Sequence, residues 1–310
     1  MMTVEELNEH IRGGTINDVI RVAEAKQIKY LSQIADEICA DSRHRLVLVC
    51  GASAAGKTTT AKRICTQLMV NDRPAQHLST DDYFVGDELN PRDEDGKLDY
   101  EHVECVDIRR LASDINALLR GESVPERRFD FVKHAPYNTD RHLSLPEGSG
   151  MVVLEGIHAL NPRLTEGIDD AMKFRVFIEP RPDLDVFGGF FPSSRDARFL
   201  RRMVRDNQFR KRNPSETLEM WPSVIRGEER WIEPFRQNAD AVFNSYLIYE
   251  LAALKPFVGG LLERVRREKG EDRMIVGLIG MLETVQPLSP EAIPGDSILR
   301  ETIGGSQLEY

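Results

Sequence analysis

The run RLVLVC-GASAAGKTT-TAKRICTQLM, Arg45 to Met69, decides the fold. Its centre fits the pattern G-x-x-x-x-G-K-[ST], with Gly51, Gly56, Lys57 and Thr58 at the fixed positions. Mostly apolar Arg45–Cys50 reads as a strand entering the loop, and Thr58–Met69 as the helix leaving it. Strand, glycine-rich loop and helix form the context in which this pattern binds phosphate. The spacing has a chemical reason. Glycine lets the backbone wrap an anion with no Cβ in the way, so the N–H groups along Gly51, Ala52, Ser53, Ala54, Ala55, Gly56, Lys57, Thr58 and Thr59 can converge on it. The helix start adds partial positive charge. Lys57 can reach β- and γ-phosphates, and the Thr58 hydroxyl can ligate Mg²⁺. The bland alternative is a strand-turn-helix junction that binds nothing.

Working outward, further strands are expected at Gln76–Thr80, Met151–Glu155, Phe174–Glu179 and Ala241–Phe243. Helices are expected at Asp107–Leu119, Arg198–Asn207 and Leu247–Arg267. Apolar strands alternating with helices predict an α/β fold, a mainly parallel five-stranded sheet between helical layers in the three-layer sandwich of P-loop NTPases. Ligands then sit beyond the carboxyl ends of the strands. Residues 1–42 are polar and helix-periodic, with Leu31, Ile34, Ala35 and Ile38 on one face. We expect them to form an N-terminal helical extension. Residues 43–268 would hold the loop and a helical lid. Residues 269–310, with the apolar run MIVGLIGML and the Pro-rich QPLSPEAIPGD, would form a C-terminal helical extension.

The 310 residues are 41% hydrophobic and 30% charged, enough for a substantial core. Nothing approaches 18 uninterrupted apolar residues, so no membrane partner is expected. The start, MMTVEELNEHIRGG, has acidic residues and lacks the apolar stretch of an export signal. Cys39, Cys50, Cys65 and Cys105 form no C-x-x-C pair, which disfavours zinc and disulfides and fits a reducing cytoplasm. The net charge of −10 disfavours nucleic acid as a partner of the whole surface. A homo-oligomer stays open.

Three further stretches carry chemistry. HLSTDDYF, His77 to Phe84, ends a strand in two carboxylates. Phosphoryl transfer to a hydroxyl uses a carboxylate that accepts the proton and helps organise Mg²⁺, and Asp81 is placed for it. Aspartate is equally common where strands turn into loops. MVVLEGIHAL, Met151 to Leu160, brings one carboxylate, Glu155, to the end of a buried strand. Burying it unpaired is costly, so it must meet Mg²⁺ or its waters, or a structural ion pair. Third is SRDARFLRRMVRDNQFRKR, with eight basic and two acidic residues between Arg195 and Arg212. Arg198, Arg202 and Arg205 share a helical face. Arginines there can neutralise charge on a transferring phosphoryl group. The bland readings are a solvated basic helix or an RNA-binding patch.

Taken together, GASAAGKT, STDDYF, FDFVKH, VVLEGIHAL and RRMVRD followed by Arg210 and Arg212 resemble the uridine kinase family of phosphate-loop kinases, in order and spacing over about Arg45 to Leu254. NPRDEDGKLDYEH, MWPSVIRGEERWIEPF and SILRETIGGS are similar to a bacterial subfamily of uridine kinase-like nucleoside kinases, whose longer members carry N-terminal domains like those of threonyl-tRNA synthetase. The resemblance implies a cytoplasmic kinase that uses ATP (GTP is the alternative donor) and Mg²⁺ to phosphorylate the 5′-hydroxyl of uridine or cytidine. It implies Asp81, Lys57 and Arg205 as catalytic residues and Thr58, Asp81 and Glu155 at the metal. Arg202, Arg210 and Arg212 would join the loop at the donor phosphates, the last two on a mobile lid. Asp81, Tyr83, Glu101, Phe129, His134, Arg205 and Arg212 would meet the nucleoside, Glu101 at the ribose hydroxyls and Phe129 and His134 at the base. There are departures. Glu101 is one methylene longer than the family's aspartate, and Phe129 lacks the hydroxyl of the usual tyrosine. FGGFFPSS, Phe187 to Ser194, does not match the subfamily's polar N-R-I-S-T-T. The alternatives are a kinase of a sugar phosphate, pantothenate or polyol, and a regulatory or RNA-associated ATPase.

Overall fold

The five apolar runs expected as strands pair into one wholly parallel sheet in a computed structural model, which describes residues 2–94 and 96–309. In chain order the elements are β1 (Met2–Thr3), α1 (Val4–Arg12), α2 (Ile16–Ala40), β2 (Leu46–Cys50), α3 (Lys57–Val70), β3 (Ala75–Ser79), α4 (Ile108–Leu119), β4 (Val124–Asp130) and β5 (Ala135–Leu143). There follow β6 (Met151–Gly156), β7 (Lys173–Glu179), β8 (Leu184–Asp185), α5 (Ser194–Phe209), α6 (Pro214–Trp231), β9 (Ala241–Asn244), α7 (Glu250–Lys269), α8 (Arg273–Glu283) and a last turn, α9 (Arg300–Ile303). The sheet order is β3-β6-β2-β7-β9. β2 is central, with Leu46 level with Val152 of β6 and Lys173 of β7. The chain leaves β2 toward one edge and later fills the other, which opens a crevice beyond the carboxyl end of β2.

β2 and β6 are buried along their whole length, as continuous apolar strands covered on both faces should be. Val47, Val49, Met151 and Val153 pack with α3 and with Leu31, Ile34, Ala35 and Ile38 of α2. Leu46, Leu48, Val152 and Leu154 pack on the other face with Leu111, Ile115 and Leu118 of α4. The apolar stripe of α2 thus supplies part of one outer layer of the sandwich. A third core joins α1, α5, α6, α7 and α8 with Ile293, Ile298, Leu299 and Ile303. The two terminal segments meet there. The Asn8 amide donates to the Thr284 carbonyl at 2.8 Å and accepts from the Gln286 N–H at 2.7 Å.

The hairpin was not expected, and two helices differ in detail from their sequence signals. β4 and β5 form an antiparallel hairpin, but APYNTDRHL has no apolar alternation and β5 is largely exposed. α6 carries Pro222 in its interior, which argues against a helix in the sequence. Its start is nevertheless well specified, with Pro214 at the first turn and Asn213 and Glu216 in a reciprocal capping box. α5 begins before the expected Arg198 because Ser193 and Asp196 cap it in the same way. Among the described residues no helix is long and apolar enough to cross a membrane.

Candidate active site

Gly56 ends the loop and starts α3 in the left-handed region, φ +88°, and a Cβ there would lie 2.5 Å from Ile298 Cδ1. Only glycine fits both demands. The loop carbonyls are tied down from the protein side. Arg198 donates to Ser53 O and Arg201 to Ala54 O, each at 3.4 Å, and Ser245 Oγ donates to Ala55 O at 2.6 Å. Arg201 is itself held by Glu250 through two 2.6 Å bonds. In a trans peptide the N–H points opposite the C=O, so anchoring the carbonyls turns N–H groups the other way. Arg198 and Arg201 are therefore braces of the loop, a role their sequence positions did not reveal.

At the strand ends, Thr58 Oγ1 donates to Glu155 Oε1 at 3.1 Å and Ser79 Oγ donates to the same oxygen at 2.7 Å. Ser79 Oγ also accepts the Asp81 N–H at 3.3 Å, which joins the three carboxyl-end loops. Glu155 is 3% exposed. Burial above all pushes its carboxyl up to about 7; Lys57 pulls it back and the Asp81 charge adds to the rise. Such a group invites a cation. Lys57 Nζ rests 3.4 Å from Ala52 O. Among the described residues the Asp81 carboxylate has no hydrogen-bond or ion-pair partner, yet its charge reaches Glu101, Glu155 and Arg210. Asp82 differs. It pairs with Arg128 at 3.5 Å, and burial first of all pushes it up to about 6.

Glu101 lies under α6, where a Cβ on Gly227 would come within 2.3 Å of Glu101 Cβ. Its buried Oε2 has no hydrogen-bond partner. Burial raises its pKa against the pull of Arg202 and Lys57. A buried acceptor left open beside two cations is one that a ligand hydroxyl would satisfy.

The arginines converge on one carboxylate. Asp206, with no exposed side-chain surface, lies 3.0 Å from Arg205, 3.4 Å from Arg202 and Arg212, and 3.8 Å from Arg210. Burial would raise its pKa, but Arg205, Arg202 and Arg210 outweigh it and hold it low. Repulsion from Arg205, then burial, pulls the Arg210 guanidinium down. Arg202 also donates to Ser53 Oγ at 2.7 Å, linking the cluster to the loop. Asp206 was legible as one of only two acids in the basic run, but nothing in the spacing marked it as the hub.

On the hairpin side, His134 sits at the tip with φ +52°, its Nδ1 2.9 Å from the Tyr100 hydroxyl, which donates to Asp87 at 2.5 Å. Arg210 stacks over Phe131 at 5.2 Å, so tip and arginine cluster touch. Two residues implied by resemblance as acceptor contacts lie in the core instead. Tyr83 is 2% exposed and donates to Asp114 at 3.0 Å. Phe129 is 6% exposed and packs edge-on against Phe84 and Phe131. The C-terminal segment also reaches the loop, where Glu301 Oε2 accepts from Thr59 N at 3.2 Å and Thr59 Oγ1 at 2.7 Å.

The uridine kinase of Lactobacillus helveticus (strain DPC 4571) is 26% identical over 198 residues, 64% of this chain and 84% of its own length. That of Halobacterium salinarum is 28% identical over 195 residues, 63% of this chain and 77% of its own. A solved structure described as a possible uridine kinase from Bacillus stearothermophilus shares 19% identity at a TM-score of 0.45, covering 71% of this chain and 98% of that one. The model of the Phosphoribulokinase / Uridine kinase family matches residues 46–251, from β2 to the start of α7, and with it the loop, Asp81, Glu155 and the arginine helix. The chain belongs to the phosphoribulokinase/uridine kinase family of P-loop kinases.

Proposed function

We propose that this kinase transfers the γ-phosphate of ATP to the 5′-hydroxyl of uridine or cytidine, giving the nucleoside monophosphate. Within the family, its motifs favour the bacterial uridine kinase-like branch related to the synthetase-fused proteins. The observation that carries the reading is the Asp81 carboxylate, without a partner among the described residues and in electrostatic reach of Glu155, Arg210 and the open oxygen of Glu101. Asp81 would accept the proton of the attacking hydroxyl. Lys57 would leave Ala52 O for the donor phosphates, and Arg202, Arg205, Arg210 and Arg212 would take up their charge. Glu101 would receive sugar hydroxyls and His134 would face the base. Residues 43–268 would carry this chemistry, braced by the helical segments before and after.

The donor set fits Mg²⁺. Among the described residues no cluster of three or more His, Cys, Asp or Glu side chains could hold a metal alone. Mg²⁺ does not need one, because it keeps several waters and binds through one or two carboxylates plus substrate phosphates. Thr58 and Glu155, with Asp81 near them, would hold it, and when bound it would neutralise phosphate charge.

The burial of Tyr83 and Phe129, which leaves neither ring free to stack on a base, favours a second reading, another small hydroxylated acceptor such as a sugar phosphate, pantothenate or polyol. ADP release measured with a panel of nucleosides, polyols and sugar phosphates, against ATP alone, separates the two. Stimulation by uridine and cytidine is expected. Stimulation only by a polyol, pantothenate or sugar phosphate would move the assignment to the second reading. Acceptor-independent or RNA-stimulated turnover would overturn both.

A further inference from the structure

We propose that the C-terminal segment from Asp296 to Ile303 is a built-in competitor for the donor, with the Glu301 carboxylate standing where a donor phosphate binds, so that nucleotide entry requires the segment to withdraw. The inference rests on the loop being the donor site.

Thr59 is the third residue of α3. Its N–H is one of the four at a helix start with no intrahelical carbonyl to bond. Such a position attracts anions, and in a phosphate loop these N–H groups cradle the donor's α- and β-phosphates. Here the chain supplies the anion itself. Glu301 Oε2 accepts from both the N–H and the hydroxyl of Thr59. A phosphate oxygen and a carboxylate cannot share that pair of donors, and two anions in one cradle repel.

The contact is seated by its surroundings. Ile298 lies directly on Gly56. Arg63 donates to the Asp296 carbonyl and Lys62 to the Glu309 carbonyl, so the first two turns of α3 hold the segment on both sides of Glu301. Leu299 and Ile303 are buried in the core that contains α5, and Phe209 at the end of α5 touches Gly304. The segment therefore spans the loop and the helix that carries the arginines. Its grip is mostly apolar, while its competition with phosphate comes from one charge. The two can be separated by substitution.

The test titrates ADP calorimetrically into the full chain and into Glu301→Gln. A carboxamide keeps the shape but makes weaker, uncharged bonds. Glu301→Gln is expected to bind ADP about tenfold more tightly, because a smaller fraction of the protein is held closed. In the unsubstituted chain, saturating ADP is expected to lower hydrogen-exchange protection across 296–303. Equal or weaker ADP binding by Glu301→Gln would overturn the proposal, as would unchanged or increased protection of 296–303. If neither folded protein binds ADP or ATP, the loop is not the donor site and the kinase reading falls first. Binding by the unsubstituted chain without a gain in Glu301→Gln sinks the competitor alone.

Discussion

Replacing Asp206 by asparagine keeps the side chain's shape and removes the negative charge that four guanidiniums share. The magnitude follows from exposure. Asp206 is fully buried and Arg202 is 5% exposed, so that pair is buried on both sides. Breaking such a pair by removing one partner costs about 3–5 kcal/mol. Arg205, Arg212 and Arg210 are 16%, 29% and 33% exposed. Their pairs are discounted toward the surface value of about 0–1 kcal/mol each, and these arginines can swing into water. A net loss of about 4 kcal/mol at neutral pH lowers the Tm of a chain this size by roughly 6 °C. The pH dependence has a definite sign. The folded carboxyl is held low, so its contribution is complete above the unfolded value of about 3.9 and is lost as pH falls through the folded value. Melts of Asp206→Asn and of the unsubstituted protein should therefore begin to approach each other below about pH 4 and converge only below the folded value. With its arginines left short of their shared counter-charge, Asp206→Asn should also gain more Tm from added pyrophosphate. Scanning calorimetry at pH 7, with and without pyrophosphate, measures both effects. A variant melting within about 2 °C of the unsubstituted protein, with the same pyrophosphate response, refutes the idea that Asp206 organises the cluster.

Other substitutions test the remaining roles. Lys57→Ala should cost on the order of 10²-fold in kcat with the fold intact, and near-normal turnover would remove the loop from the chemistry. Asp81→Asn should keep donor binding and lose roughly 10²–10⁴-fold in kcat, while Asp82→Asn, which breaks the pair with Arg128, should affect stability more than turnover; steady-state kinetics giving the reverse ranking would exchange their roles. Glu101→Ala and His134→Ala should raise acceptor KM by about 5- to 150-fold, corresponding to about 1–3 kcal/mol, and leave donor KM near its original value; equal effects on both substrates would remove them from the acceptor site. Burial before all else holds His77 and His158 neutral, each down to about 3. Their unfolded forms take up protons below about 6.5, so stability should fall as pH drops through that value, by about 2 kcal/mol per histidine at pH 5. Urea unfolding of His77→Phe should show a shallower slope, and an unchanged slope would exclude His77.

The sheet was legible because its central strands are buried on both faces, and LVLVC and MVVLE therefore read as unbroken apolar runs. The same physics hid the hairpin's second strand, since the largely exposed β5 carries no periodic signal. α6 keeps Pro222 in its interior, a residue with poor helix propensity, while Asn213, Pro214 and Glu216 mark its start. At the site, residues that owe their positions to local motifs, Lys57, Thr58, Asp81 and Glu155, come together around the carboxyl ends of β2, β3 and β6. What could not be read depends on partners distant in the chain. Glu301 meets Thr59 across 242 residues, and Arg201 meets the loop across 147. Tyr83 and Phe129 show the converse, where only the resemblance implied contact with the nucleoside and packing places both rings in the core.

The stitch between Asn8 and Thr284–Gln286, 276 and 278 residues apart, has a consequence for how the molecule is made. On the ribosome, the strands and helices from Leu31 to Phe243 emerge in an order that lets the sheet and its α2–α3 cover assemble early. The other core cannot follow suit. Leu7, Ile16 and Ile20 leave the exit tunnel first and wait for Leu282, Val285, Ile293 and Ile303. At roughly 5–20 residues per second, that wait lasts on the order of 15–60 seconds. During it, the apolar face of α1 and later those of α5 and α6 lack part of their cover. Gly56 acquires its Ile298 lining only after Ile298 has emerged, so the phosphate loop reaches its final surroundings long after the sheet strands beside it have been made.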